Sequence, residues 1–240
     1  MTPRETMGVA LVTGASRGIG RSAARALARA GYHVVAVARS QKALEGLDDE
    51  IRKDGGEGAS LVPMDLKDFE AIDRLGGVIY ERWGKLDALF ANAAILGDLT
   101  SMADAPPKMF EETMATNVLA NQRLIRSVDR LLRTASPPGR ALFVTSSVAQ
   151  TPRPFWGAYG ASKAALEAMA MSYAQEVGFT GVKVNILDPG ATRSTMRSKA
   201  FPGEDPMTLK SPDDVAPLVV ELLSKDCPRH AERVRFEDAR

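Results

Sequence analysis

With 240 residues, 45% of them hydrophobic and 25% charged, and a formal net charge of +1, the chain fits one globular domain with a large core and offers no broad field for nucleic acid or an anionic membrane. No apolar run approaches the ~20 residues of a membrane span and the opening MTPRET is not a signal peptide, so the cytoplasm is the expected compartment. The single cysteine, Cys227, excludes an internal disulfide, and two histidines, His33 and His230, make no convincing metal site.

Taken in order, the chain alternates strand and helix. Short runs rich in Val, Ile, Leu and Phe predict strands at Val9–Thr13, His33–Ala38, Ser60–Pro63, Ala88–Ala91, Ala141–Thr145 and Lys183–Leu187. Helices are predicted between them at Ile19–Ala30, Lys42–Lys53, Phe69–Trp83, Lys108–Leu132, Tyr159–Val177 and Asp213–Leu223. Gly31, Gly84 and Gly178 are placed to stop helices, and Pro217 should kink the last one. Short connections and right-handed crossovers make this an α/β fold, a doubly wound parallel sheet of the Rossmann type, in one domain over residues 1–240. A seventh strand at 233–236 is compatible with the pattern.

Two segments carry chemistry. The first strand runs into TGASRGIG, where Gly14, Gly18 and Gly20 permit a tight turn and a close approach to a pyrophosphate held at a helix N-terminus. The end of the second strand should meet the adenosine ribose; an acidic residue there favours NAD, and arginine accommodates the 2′-phosphate of NADP. This chain reads Ala38-Arg39, with Arg17 as a second cation in reach, which points to NADP(H). The other segment is GAYGASKAALEAM, with Tyr159 and Lys163 one helical turn apart. A free phenol titrates near ~10, and a fixed positive charge beside it favours the phenolate. Such a pair can form a general acid or base, although an amphipathic helix with a buried Tyr and an exposed Lys has the same spacing.

Together these motifs resemble the short-chain dehydrogenase/reductase family, and the resemblance runs from about Met7 to about Ser224. Asp65 in VPMDL, ANAA at 91–94, Asn117 in MATNVLAN, Ser146 and Ser147 in FVTSS, and PGATRSTM at 189–196 follow in family order. The resemblance implies a catalytic set of Asn117, Ser147, Tyr159 and Lys163. Tyr159 would exchange a proton with the substrate oxygen, and Lys163 would lower the phenol's pKa and hold the nicotinamide ribose. Ser147 would hydrogen-bond the substrate oxygen, and Asn117 would bind a water linking Lys163 to solvent, or brace a helix kink. The family pattern at the strand end selects Ser147, whereas the residue count to the tyrosine points to Ser146. The implied cofactor contacts are Gly14, Ser16, Arg17, Gly18, Ile19 and Gly20 in the first loop, then Arg39, then Asp65 and Leu66 at the adenine. Asn92, Ala93 and Ala94 would line the cofactor, Tyr159 and Lys163 would meet the ribose, and Pro189, Gly190, Thr192 and Ser194 would cover the nicotinamide and phosphates.

The activity so implied is NADP(H)-dependent hydride transfer between the nicotinamide and a small carbonyl or alcohol substrate. A regulatory nicotinamide-binding protein without turnover is the alternative. Substrate walls are expected from Phe155 and Trp156, and from a lid at about 191–210 carrying Met196, Phe201 and Met207. The long helices beginning near Lys108 and Tyr159 should pair subunits into a homodimer or homotetramer. The small residues Ala161, Ala164, Ala165 and Ala168 would permit close packing there.

Overall fold

The computed structural model describes residues 8–239; the MTPRET start and Met7 lie outside the described residues. Seven strands form one parallel sheet in the order β3-β2-β1-β4-β5-β6-β7. They are β1 (Gly8–Thr13), β2 (Tyr32–Ala38), β3 (Ala59–Pro63), β4 (Ala88–Ala91), β5 (Arg140–Val144), β6 (Lys183–Asp188) and β7 (Arg233–Arg235). The strands alternate between two cores. Val9 and Leu11 join Leu89 and Phe143 on one face, while Ala10 and Val12 join Phe90 and Leu142 on the other.

Three helices cover the first face: α3 (Phe69–Trp83), α5 (Ala120–Thr134) and α6 (Gly157–Val177). The second is covered by α1 (Gly18–Arg29), α2 (Gln41–Lys53) and α8 (Pro212–Leu223). Burial on both faces explains why the strands read as unbroken apolar runs, and each fully buried Leu, Ile or Val contributes roughly 1.5–3 kcal/mol. Among the described residues, no helix is long and apolar enough to cross a membrane.

The expected long fourth helix is α4 (Pro107–Met114), a π-helical turn at Ala115–Leu119, and then α5. Asn117 lies in that π turn, the kind of widened turn that often marks functional sites. Helix α6 ends at Val177, but Gly178 keeps right-handed φ and opens a 3-10 turn; the left-handed stop is Gly181, at φ +83°. Pro217 is accommodated inside α8, which continues to Leu223. The seventh strand forms: β7 pairs with β6 in parallel register, Leu187 opposite Val234. Because β1 is flanked by β2 and β4, the strand order reverses there, and the carboxyl ends of the strands open into the crevice where such sheets bind ligands.

Candidate active site

One cleft of about 1240 Å³ occupies that crevice, more than a single drug-sized ligand fills. Its end beside the glycine loop is built largely from backbone. At the head of β1, Thr13 Oγ1 accepts hydrogen bonds from the Asn92 and Ala93 amides at 3.1 Å, and Asn92 Nδ2 donates to the Thr13 carbonyl at 3.0 Å. A Cβ at Gly20 would strike the Gly14 carbonyl, so helix α1 can approach its strand only through glycine. Gly14 and Gly18 take positive φ, +68° and +55°, and the N-terminus of α1 carries no side-chain cap. Its first N–H groups are therefore available to an anion.

Arg17 and Arg39 are exposed on the cleft wall, and neither has an ion-pair partner among the described residues. Asp65 holds the Lys67 amide through one carboxylate oxygen, 2.9 Å away, and faces the cleft beside Leu66. The N-cap of α3 is Asp68, not Asp65. Ser16, Ile19 and Ala94 also line the cleft, as do Pro189, Gly190, Thr192 and Ser194. Gly20 lies beneath the loop as packing. These features fit a dinucleotide with an anionic ribose substituent.

At the other end Tyr159 and Lys163, both buried, open into the same cleft as Ser146 and Ser147. Lys163 Nζ lies 5.7 Å from the Tyr159 ring centre and donates to the Val144 carbonyl at 2.7 Å. Burial draws the ammonium down to about 8, with Glu167 opposing the shift. The expected lowering of the phenol is not produced by the protein's own groups. Burial raises Tyr159 above its ordinary value, and the charge of Asp188 adds to the rise. Lowering it requires further positive charge in the cleft.

Asn117 is fully buried and does not line the cleft. Its amide receives the Ile95 N–H, and donates to the Ile95 carbonyl and to Ser162 Oγ, each at 2.9 Å. Ser162 Oγ in turn donates to the Tyr159 carbonyl at 2.7 Å. The side chain thus braces the π turn against α6. Sequence reasoning missed Ser162, although its place between Tyr159 and Lys163 on α6 was a signal.

The substrate walls differ from expectation. Trp156 lines the cleft, edge-on to Tyr159 at 6.1 Å and against Phe201 at 5.6 Å. Phe155, at φ +70°, turns outward and is 61% exposed. Met207 also faces solvent. The segment expected to act as a lid forms α7 (Thr195–Ala200), capped by Ser194, and contributes Met196 and Ala200 beside Leu96, Val148 and Tyr159. Arg197 stacks on Phe201 at 3.8 Å and pairs with Glu204. Lys199 reaches across the mouth to the Gly97 carbonyl at 2.8 Å and to Asp98 at 2.9 Å. The arrangement can hold a carbonyl or hydroxyl between a phenol and a serine, against an apolar wall.

The family model for short chain dehydrogenases matches residues 8–205. An uncharacterized oxidoreductase of Escherichia coli K12, YciK, is 37% identical over 223 residues, covering 92% of this chain and 88% of that protein. L-xylulose reductase of Bos taurus is 33% identical over 210 residues, covering 87% and 81%. A Shigella flexneri short chain dehydrogenase complexed with NADP superposes with a TM-score of 0.92 at 34% identity, covering 97% of this chain and 98% of that one. An Escherichia coli CFT073 short chain dehydrogenase complexed with NADPH gives 0.92 at 35% identity, with 96% of each chain covered.

Proposed function

The chain belongs to the short-chain dehydrogenase/reductase family of oxidoreductases, and from that premise we propose that it is an NADP(H)-dependent enzyme interconverting a carbonyl and an alcohol. One observation carries the reading. Tyr159, Lys163 and the serine pair share a single cleft with the glycine cradle and with two arginines that have no ion-pair partner among the described residues. The NADP and NADPH complexes of two similar structures support the choice of cofactor. In this reading Gly14, Gly18 and the α1 N-terminus hold the pyrophosphate, Arg17 and Arg39 the 2′-phosphate, and Asp65 the adenine. Asn92, Ala93, Ala94 and the 189–194 segment enclose the nicotinamide half.

When bound, the cofactor supplies or accepts the hydride, and its oxidised ring adds positive charge near the phenol. Tyr159 gives its proton to the carbonyl oxygen during reduction and takes it from the alcohol during oxidation. Ser147 donates a hydrogen bond to that oxygen as charge develops on it. Lys163 orders the ribose, and its charge acts together with that of the oxidised ring to favour the phenolate. Asn117 acts at one remove, by positioning α6. Trp156 and Met196 exclude water, residues 191–210 act as the lid, and the whole chain forms one domain. Exposed Ala161, Ala164 and Ala168 on α6 leave that helix free to pair subunits in a dimer or tetramer.

The test is NADPH oxidation against a varied panel of ketones, aldehydes and quinones, with Tyr159→Phe alongside and NADH as the control. Turnover that collapses in Tyr159→Phe is expected. Tight NADPH binding with no turnover across the panel would move the weight to a regulatory dinucleotide-binding protein.

A further inference from the structure

Beneath the cleft lies a partly buried ion cluster centred on Arg233, which none of the family-like motifs includes. Arg233, on β7, places Nε 3.0 Å from Glu167 Oε1 and Nη2 2.8 Å from Asp188 Oδ2, and donates to the Ser146 carbonyl at 3.4 Å. Its side chain is 15% exposed, against 14% for Glu167 and 3% for Asp188. Each partner belongs to a different part of the site. Glu167 lies one turn beyond Lys163 on α6 and also accepts from Thr145 Oγ1 at 2.7 Å. Asp188 ends β6 and holds the Gly190 amide at 3.1 Å. Ser146 is one of the serine pair.

We propose that Arg233 is a positioning residue for the oxidoreductase reaction: its guanidinium clamps α6, the 188–190 turn and the end of β5 into one rigid unit, so the C-terminal strand sets the register of Tyr159 and Lys163 against the serine. The inference rests on the activity proposed above. Arginine's planar fork suits the task, because it can address two carboxylates and a carbonyl at once, which a lysine ammonium cannot match in geometry. The cluster is also balanced in charge. Arg233 and Lys163 oppose Asp188 and Glu167 in a setting that buries Lys163 and Asp188 and half-buries the other two, where an unpaired charge is costly.

Removing Arg233 leaves Asp188 uncompensated close to the phenol. The other charged groups lining the cleft with Tyr159 include Lys163 on its own helix, Arg153 in the preceding loop, Lys108 and Glu112 on α4, Arg193 before α7, and Arg197 and Lys199 on α7. The last two are already paired with Glu204 and Asp98. Nothing else at hand replaces the guanidinium.

Two readouts test this. The first is 13C-tyrosine NMR of the NADP+-bound protein, with the Tyr159 signal assigned through Tyr159→Phe. Arg233→Gln should raise the Tyr159 titration midpoint by on the order of one pH unit. Arg233→Lys should restore part of the shift, and Asp188→Asn with Arg233→Gln should return the midpoint close to wild type. The second is kinetics on a carbonyl substrate found in the panel: Arg233→Lys should lower kcat several-fold with little change in KM. An unmoved midpoint in folded Arg233→Gln would overturn the proposal, as would unchanged kcat in Arg233→Lys. Should Arg233→Gln fail to fold, Arg233→Lys and the double variant decide by the same criteria. A wild-type protein without turnover would sink only the proposed activity, since the NMR readout is independent of it.

Discussion

The two ends of the cleft are made of different material. At the end beside the glycine loop the surface is largely backbone, with Arg17, Arg39 and Asp65 at its margin: glycines where a Cβ would collide, a helix N-terminus without a side-chain cap, and a threonine tying β1 to the end of β4. At the end beside Tyr159 it is side chain, drawn from the loop before α6 and from α7. There two adjacent aromatics diverge, Trp156 into the cleft and Phe155 into solvent. A backbone surface constrains which residues are tolerated and so leaves a mark in the sequence. A side-chain surface depends on rotamers and on one dihedral, such as the positive φ of Phe155.

If this division holds, substitutions at one end should leave the other untouched. The largest effect is expected from Tyr159→Phe, which removes the proposed general acid, a role worth ~10²–10⁴-fold in kcat. The NADPH dissociation constant, measured by fluorescence quenching, should change little. A comparable loss of NADPH binding would mean that the two ends are not separable. Next comes the serine pair. Ser147→Ala should lower kcat by ~10²–10³-fold, the scale of one lost hydrogen-bond donor to a developing oxyanion. Ser146→Ala should do much less. The reverse order would show that the count to the tyrosine, not the pattern at the strand end, was the better guide.

Much of the fold was legible because burial on both sheet faces imposes apolar strands, and six strands fell within a few residues of expectation. The fourth helix was read as continuous because a π turn needs no break in apolar periodicity; ATNVL looks like any helical stretch. Gly178 was read as a stop because glycine favours left-handed φ, yet the chain spends one more right-handed turn before Gly181. In the site, the glycine loop and the Tyr159–Lys163 pair stood out because the motifs follow one another in order along the chain; the four-residue spacing alone fits an ordinary amphipathic helix. The Arg233 cluster did not stand out, since it joins residues 45 and 66 positions apart. No local pattern encodes such a meeting.

The cofactor end has its own test, smaller in size. Arg39→Asp should weaken NADPH binding by ~10–100-fold, the worth of a charge-assisted hydrogen bond, and raise the relative affinity for NADH. KM for the carbonyl substrate should stay put. Equal affinities for the two cofactors in wild type would remove the basis for assigning Arg17 and Arg39 to a 2′-phosphate.

The smallest effect concerns Lys163, where the two ends meet, and appears in stability. Burial lowers its folded-state value to about 8, below that of the unfolded chain. Between those limits the unfolded state binds more protons, so stability attributable to this residue rises with pH. The penalty is fully present below pH 8, where the folded protein must hide a charged ammonium. From pH 7 to pH 9 the relief should amount to about 1 kcal/mol. Tyr159, raised by burial, works in the opposite sense, but only above the ordinary phenol range. Lys163→Met should therefore be more stable than wild type at pH 7, and its advantage should shrink toward pH 9 in denaturant melts. A constant gap across that window would mean that Lys163 stays charged in the fold, its ammonium satisfied by the Val144 carbonyl and Glu167.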